Sequence, residues 1–477
     1  MTSVGVGQMH PGWFWLLAVG LALFLGCVEK PEPPRHVVFF LIDTLRADTL
    51  GAYGNPSGHT PHLDALAAES VVFEAASAAA PWTLPSVASL MTSTFPCEHG
   101  LLVDGDRLPE SISPLAERLR ANGFGTLNLH ANPYAGEMSG LDRGFDYHRQ
   151  GLDASGRSVE RALDRTSASR LFLYVHNTGP HDPYHETELG PEAGLSVEER
   201  KTINRQLQQL RRLGRADFTK QRPIGTTDNS KLQRRLMARL DKKKADLLAL
   251  YAKDVAGADA RLGGVIAALK ERDIFENALF VLVSDHGEEF GEHGGWQHDQ
   301  SAYEELLHVP LMIRFPAARF AGTRVEESVS LVDVIPTLAD LLEQPDLVTG
   351  ARGRSLLPLV EGRAEVEKIR ITGMRDNRKK FYRPAHEARG AVNIVARKGN
   401  WKSIWNVDTE SIELYDLAAD PQERTNLASE QPATAAEFRE ASGRWREACR
   451  PAEAPQAAPL PLDPKAAARL RALGYAD

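Results

Sequence analysis

Four residues that together could hold a divalent metal and open an ester stand far apart in this 477-residue chain: Asp43, Thr83, Asp285 and His286. Carboxylate and hydroxyl oxygens are hard donors and imidazole is borderline. That mix suits Mn2+, Zn2+ or Mg2+ better than an all-oxygen Ca2+ cage, although Ca2+ would also accept the carboxylates. A metal beside Thr83 would lower the pKa of its hydroxyl and orient the oxygen for attack. Thr83-Leu84-Pro85-Ser86-Val87-Ala88-Ser89-Leu90-Met91 reads as the start of a helix. Thr83 is placed as the N-cap and Pro85 in the first turn, with Leu84, Val87, Ala88 and Met91 at helical spacing. A hydroxyl there lies beside backbone N–H groups and the positive end of the helix dipole, a place that suits an anion. Taken alone, an ordinary capping threonine explains the motif.

The elements that carry the other three residues change that balance. His36-Val37-Val38-Phe39-Phe40-Leu41-Ile42 is an apolar run that ends at Asp43. Ala278-Leu279-Phe280-Val281-Leu282-Val283-Ser284 is a second, ending at Asp285-His286-Gly287. Runs of this kind read as central strands of a parallel sheet, buried on both faces. Carboxylates at their C-terminal ends fall on the rim where open α/β sheets bind ligands. Residues 36–185 continue as alternating strand and helix. Strands are expected at 37–42, 71–73, 125–130 and 171–176, and helices at 61–69 and 113–122. This alternation predicts a doubly wound, mostly parallel α/β sheet. A returning helix is expected over 251–272, a strand at 308–315 and a helix at 331–342.

Six stretches in this order resemble the sulfatase branch of the alkaline phosphatase superfamily. They are Leu41-Ile42-Asp43-Thr44-Leu45-Arg46-Ala47-Asp48; Gly58 to Ala67; Pro81 to Gly100; Gly179-Pro180-His181-Asp182-Pro183-Tyr184; Ser284 to His298; and Glu413-Leu414-Tyr415-Asp416-Leu417 with Asp420-Pro421. The resemblance implies an ester hydrolase with Asp43, Thr83, Asp285 and His286 around one metal. It also implies that His181 contacts the substrate anion or the leaving group, and the two prolines around it fix a loop able to project the ring. His298 lies where these enzymes carry an anion-contacting lysine. A protonated imidazole there could hold an anion, and a neutral one could bind a second metal. Both readings stay open. His293 is read as orienting the loop, and His130 and His176, at strand ends, as structural histidines with an outer-sphere role as the alternative.

The departures bear on the substrate. Sulfatases carry a cysteine or serine, oxidised to formylglycine, where Thr83 stands. Oxidation of a threonine would give a ketone, so no formylglycine is expected. Val87 stands in place of an arginine, Thr44 in place of a second aspartate, and His298 in place of the lysine. Formylglycine enzymes expel sulfate from a hemiacetal, an exit Thr83 does not have. A phospho-threonine can be displaced at phosphorus beside a metal. The reading is therefore a metal-dependent hydrolase acting through Thr83, with His181 or His298 protonating the leaving oxygen and a phosphate mono- or diester preferred. The alternatives are a sulfuric ester hydrolase on a glycan or small ester, a phosphoethanolamine-type transferase, and an inactive protein that binds an anionic glycan.

The rest of the chain sets the context. A net charge of -8 and a pI near 6.0 give no sign of nucleic-acid binding. The chain is long enough for a large domain with a smaller partner, and nothing in it sets an oligomeric state. Trp13 to Gly26 is apolar but shorter than the roughly 20 residues a membrane span needs. It reads as a signal peptide, and Phe24-Leu25-Gly26-Cys27 resembles a lipoprotein cleavage site, with Cys27 the lipidated residue. An uncleaved anchor is the alternative. Either form tethers the protein to membrane in a bacterial cell envelope, facing the periplasm or exterior. Residues 27–35, with three prolines, form a linker. The catalytic domain is assigned to 36–364, with a basic, helical insertion at about 186–250 read as two amphipathic helices broken at 222–230. A C-terminal α+β subdomain follows over 365–477. Its strands are expected at 392–397, 401–407 and 413–415, with helices at 433–448 and 464–473. Cys97 and Cys449 could pair, but no spacing argument brings them together.

Overall fold

Seven consecutive buried residues, His36–Ile42, form the strand around which the sheet is built. The computed structural model describes residues 32–103, 105–151, 154–184, 198–199, 201–209, 228–363, 368–376 and 392–450, with isolated residues 2 and 468. Among the described residues the main sheet has eight strands. In spatial order they are Arg324–Val325, Val71–Phe73, Leu311–Arg314, Ala278–Val283, His36–Ile42, Leu171–Asn177, Gly125–His130 and Tyr147–Gln150. All neighbours pair in parallel except Leu311–Arg314, which runs antiparallel to both its partners.

Alternation along the central strand explains why helices cover both faces. Val37, Phe39 and Leu41 enter one core with Leu84, Val87 and Met91 of the Thr83–Thr92 helix, Leu115 and Leu119 of the Leu115–Ala121 helix, and Ile335 and Leu338 of the Val334–Leu342 helix. Val38, Phe40 and Ile42 enter the other with Leu63 of the Pro61–Ala68 helix, Val159 of the Gly156–Leu163 helix, and Leu250, Val255 and Leu262 of the Lys244–Lys270 helix. A doubly wound sheet is therefore what the chain forms.

Several expected boundaries shift. The returning helix begins at Lys244 rather than Tyr251, because Leu247 and Leu250 already pack into the core. Of the insertion, 201–209 is helical and buries Ile203 and Leu207. Its second helix starts at Asp228, inside the expected break, and buries Leu236 and Leu240. The expected strand over 308–315 is confined to Leu311–Arg314, and the helix expected at 331–342 begins with a single tight turn at Leu331–Asp333. Residues 186–197, 200 and 210–227 of the insertion, residues 1–26 with the signal-peptide reading, Cys27, and the helix expected at 464–473 lie outside the described residues, Thr2 and the lone helical residue Ala468 apart. Among the described residues no helix is long and apolar enough to cross a membrane.

The C-terminal sheet is antiparallel and has one strand more than expected: Arg370–Asp376, Val392–Lys398, Trp401–Asn406 and Ser411–Asp416. The Pro432–Ala448 helix covers one face through Ala435 and Phe438. The added strand docks on the catalytic sheet's side, where Met374 N–H donates to Ala79 O at 2.9 Å. Cys97 and Cys449 form a disulfide that ties the chain just after the Thr83 helix to the end of the C-terminal helix.

Candidate active site

Strand ends on one rim of the sheet deliver the site. Asp43 follows the central strand, Asp285 and His286 follow its neighbour Ala278–Val283, and both strands run the same way. Thr83 differs from expectation: it is the first residue of its helix, and the extended Trp82 is the residue before it. Trp82 is buried edge-to-face on Tyr134 at 5.7 Å, which sets the entry angle of the chain. The whole Thr83–Thr92 helix is buried, and Ser86 Oγ fastens it to the opposite strand end by donating to Asp285 O at 2.6 Å.

The expected residues converge. Thr83 Oγ1 lies 3.3 Å from His286 Nε2. The same nitrogen stands 3.6 Å from Asp43 Oδ1 and 3.5 Å from Asp285 Oδ2. His286 Nδ1 donates to Gly287 O at 2.8 Å, which leaves Nε2 as the nitrogen with a lone pair. Asp43 Oδ1 and Asp285 Oδ2 are buried oxygens with no hydrogen-bond partner. Burial alone would raise the Asp43 carboxyl, but the neighbouring imidazoles of His181, His176 and His286, with a hydrogen bond from His176, hold it below the usual range. Burial and the neighbouring Asp43 charge push Asp285 well above it. Two carboxylates facing one another with unpaired oxygens, one hydroxyl and one imidazole nitrogen fit a divalent cation that would satisfy all of them at once.

The turn after Asp43 is strained to make this geometry. Thr44 is β-branched, buried and left-handed at φ 57. Its N–H donates to Asp285 Oδ1 at 3.3 Å, and Tyr251 Oη donates to its carbonyl at 2.7 Å. Gly287 is required by close approach, since a Cβ there would stand 2.0 Å from Glu305 O.

Two further residues join the centre. Asn132 Nδ2 donates to Asp43 Oδ2 at 2.8 Å and lies 3.4 Å from Thr83 Oγ1. Sequence reading missed it; its signal was an amide two residues past a strand end on the ligand-binding rim. His176 touches the centre directly, with Nε2 at 3.1 Å from Asp43 Oδ2 and Nδ1 at 3.0 Å from Tyr174 Oη. Its ligand atom lies within 4.8 Å of those of Asp43 and Asp285. His130 Nδ1 meets Asn128 Oδ1 at 3.1 Å, and its ring packs against Gly136.

His181 and His298 stand together on the same rim, ring centroids 5.0 Å apart, and the His298 ring lies tilted 4.7 Å from that of His286. His298 Nδ1 meets Glu288 Oε1 at 3.0 Å. His293 orients the loop by bonding Glu305 Oε1 at 2.6 Å and Glu423 O at 3.2 Å while stacking on Tyr303.

Comparison with known proteins gives the family. The sulfatase family model matches residues 35–344, and the C-terminal model of N-sulphoglucosamine sulphohydrolase matches 291–440. The chain belongs to the sulfatase family. It is 36% identical to arylsulfatase K of Gallus gallus over 195 residues, 39% of this chain and 34% of that protein. It thus spans about a third of the length of that relative. It is 25% identical to the ulvan-active sulfatase of Formosa agariphila over 421 residues, 84% of this chain and 78% of the relative. The crystal structure of the phosphonate monoester hydrolase of Agrobacterium radiobacter shares the fold, with a TM-score of 0.63, 22% identity, and cover of 87% of this chain and 96% of that one.

Proposed function

We propose that the chain is a metal-dependent ester hydrolase in which Thr83 is the nucleophile and phosphorus esters are preferred to sulfate esters. The observation that carries this reading is the Thr83 hydroxyl at 3.3 Å from His286 Nε2, beside the unpartnered oxygens of Asp43 and Asp285. A cation held by Asp43, Asp285, His286 and Thr83 would supply Lewis-acid polarisation of the ester and a lowered hydroxyl pKa. Asn132 positions the Thr83 oxygen against Asp43 and holds the carboxylate still. Thr83 gives up its hydroxyl proton to water, and Oγ1 forms the bond to phosphorus as the bond to the leaving oxygen breaks and that oxygen departs with the electron pair, taking its proton from solvent. His181 and His298 line the leaving-oxygen side. Water then attacks phosphorus and releases Thr83 Oγ1.

The likeness to a phosphonate monoester hydrolase supports a phosphorus centre, and the relatives named as sulfatases keep the sulfate ester as the second reading. The missing hemiacetal exit favours the first. Steady-state rates on p-nitrophenyl phosphate, its phenyl diester and p-nitrophenyl sulfate decide between them. The proposal expects kcat/KM at least tenfold higher on a phosphorus ester, and equal or faster sulfate release would reverse the order. The Cys97–Cys449 disulfide supports a location outside the cytoplasm, as the lipoprotein reading of Cys27 implies. Palmitate labelling lost in Cys27→Ser tests that tether.

A further inference from the structure

Both main-chain groups of one residue in the His298 turn are held by other parts of the protein. Asp299 N–H donates to Pro81 O at 2.9 Å, two residues before Thr83. Asp299 O accepts from Arg375 Nε at 2.8 Å. Arg375 stands near the end of Arg370–Asp376, the edge strand of the C-terminal sheet. A side chain of the C-terminal subdomain therefore reaches the turn that carries His298. The strand that bears it is itself fixed against the segment leading to Thr83. Met374 N–H donates to Ala79 O at 2.9 Å, and Thr372 O accepts from Ser330 Oγ at 2.8 Å. A Cβ at Gly373 would stand 2.6 Å from Ala78 O, so the two backbones touch here. Arg375 is partly buried. Burial lowers its pKa, the carboxylates of Asp299, Glu289, Asp376 and Asp408 oppose that shift, and the guanidinium stays charged.

What this grip holds is strained. Gln297 at φ 72 and Asp299 at φ 81 flank His298, both left-handed and neither a glycine. Backbone of this kind persists where its surroundings over-determine it. On one side Gln297 Nε2 donates to Asp182 Oδ2 at 2.7 Å. On the other the Pro81 and Arg375 bonds fix Asp299. An imidazole stands only two torsions from its backbone, so the ring goes where the turn goes. The His298 ring lies 4.7 Å from that of His286 and 5.0 Å from that of His181, so a rotation of the turn would alter the cleft.

We propose that Arg375 is a positioning residue: through Asp299 it sets where His298 stands relative to Thr83, and the C-terminal subdomain thereby takes part in forming the active site. The contact does more than join two parts of the chain, because it ends on the carbonyl of a strained residue next to His298 and not on a surface loop. Its consequence for the reaction rests on the reading above that His298 lines the leaving-oxygen side. The positioning itself does not.

The test reads position and rate separately. The full chain, its histidine Cε1 atoms labelled with carbon-13, is loaded with Mg2+, and the His298 NMR signal is identified by its loss in His298→Gln. Arg375→Ala, shown folded by circular dichroism, should shift that signal. Arg439→Ala, which removes a surface ion pair with Glu410 in the same subdomain, should leave it in place. On p-nitrophenyl phosphate, Arg375→Ala should lower kcat by about 10–100-fold with KM little changed, the loss expected when a reacting group is displaced by about 1 Å. Arg375→Lys, which keeps a donor of similar reach, should recover part of it, and it carries the same two readings where Arg375→Ala does not fold. In a His298→Gln background the Arg375 substitution should cost nothing further. An unmoved His298 signal, or losses that add in the double variant, overturns the proposal. A shifted signal with kcat unchanged in both single variants keeps the positioning and contradicts the placing of His298 at the leaving oxygen.

Discussion

His176 Nε2 lies 3.1 Å from Asp43 Oδ2, joining the ends of two adjacent parallel strands across the floor of the cleft. Both residues are fully buried, so their polar atoms need partners inside the fold, and this pair supplies one to each. His176→Ala should weaken metal binding, because Asp43 would lose one of the two groups that hold its carboxylate in place. Outer-sphere partners of metal ligands typically contribute 10–100-fold in affinity. Calorimetric titration with Mn2+ should show a Kd raised by about that factor, and an unchanged Kd would mean that His176 only fills space.

Asn132 gives a different signature. Its amide spans Asp43 Oδ2 and the Thr83 oxygen, so Asn132→Ala should lower kcat by about 10–100-fold with KM little changed, the loss expected for a hydrogen bond to a charged group. An increase in KM at unchanged kcat would place Asn132 in substrate binding instead.

His99 makes stability depend on pH. Burial pushes its imidazole down to about 3, and its Nδ1 accepts from Leu101 N–H at 3.1 Å. Above pH 6.5 the ring is neutral folded or unfolded and contributes no slope. Between 6.5 and about 3 the unfolded chain takes up a proton that the native chain refuses, so stability falls as pH falls. One proton gives a slope of about 1.4 kcal/mol per pH unit. His36, pushed down to about 4 by burial and then by Arg35 and Arg170, adds a slope of the same sign. Urea unfolding of His99→Gln at pH 5.0 and 6.0 should show the slope reduced by about one proton's worth, with the His36 part remaining. An unreduced slope would mean that His99 is protonated in the fold.

Lys402 joins the C-terminal sheet to the catalytic domain. It is fully buried, with Nζ 2.8 Å from Glu304 Oε1 and 2.7 Å from Glu423 Oε1. Removing one partner of a buried ion pair leaves uncompensated charge and costs about 3–5 kcal/mol. Lys402→Met should lose that much in chemical denaturation, and adding Glu423→Gln should recover part of it. Equal stability of Lys402→Met and the unsubstituted chain would contradict a buried ionic joint.

Residues at the ends of long apolar runs were legible in the sequence, and the partners that hold them were much less so. Asp43, Asp285 and His286 announced themselves because burial on both faces forces Val37–Ile42 and Leu279–Val283 to be apolar, so the first ionisable residues after each run mark the rim. Asn132 and His176 also sit past or at strand ends. The strand before Asn132 contains polar residues such as Thr126 and Asn128, so no contrast sets Asn132 apart, whereas His176 ends the apolar run Leu171–Val175 and only its contact with Asp43 was hidden. Thr83 fell one place from its expected cap because packing of Trp82 on Tyr134, a contact across 52 positions, decided where the helix begins. The Cys97–Cys449 pairing spans 352 residues, a relation no local pattern encodes. The Arg370–Asp376 strand was missed for a similar reason. It has little apolar alternation of its own and is held by Ala79 and by pairing with Val392–Lys398.

The central claim is that Thr83 becomes covalently attached to the ester's phosphorus. Acid-quenched intact-protein mass spectrometry of the Mn2+-loaded full chain, taken within the first turnover of p-nitrophenyl phosphate and of its phenyl diester, tests it directly. The account predicts a phosphoryl or phosphoryl-ester adduct that peptide mapping places on Thr83 and that Thr83→Ala lacks. Product release at an undiminished rate by Thr83→Ala, or an adduct mapped to another residue, would contradict it.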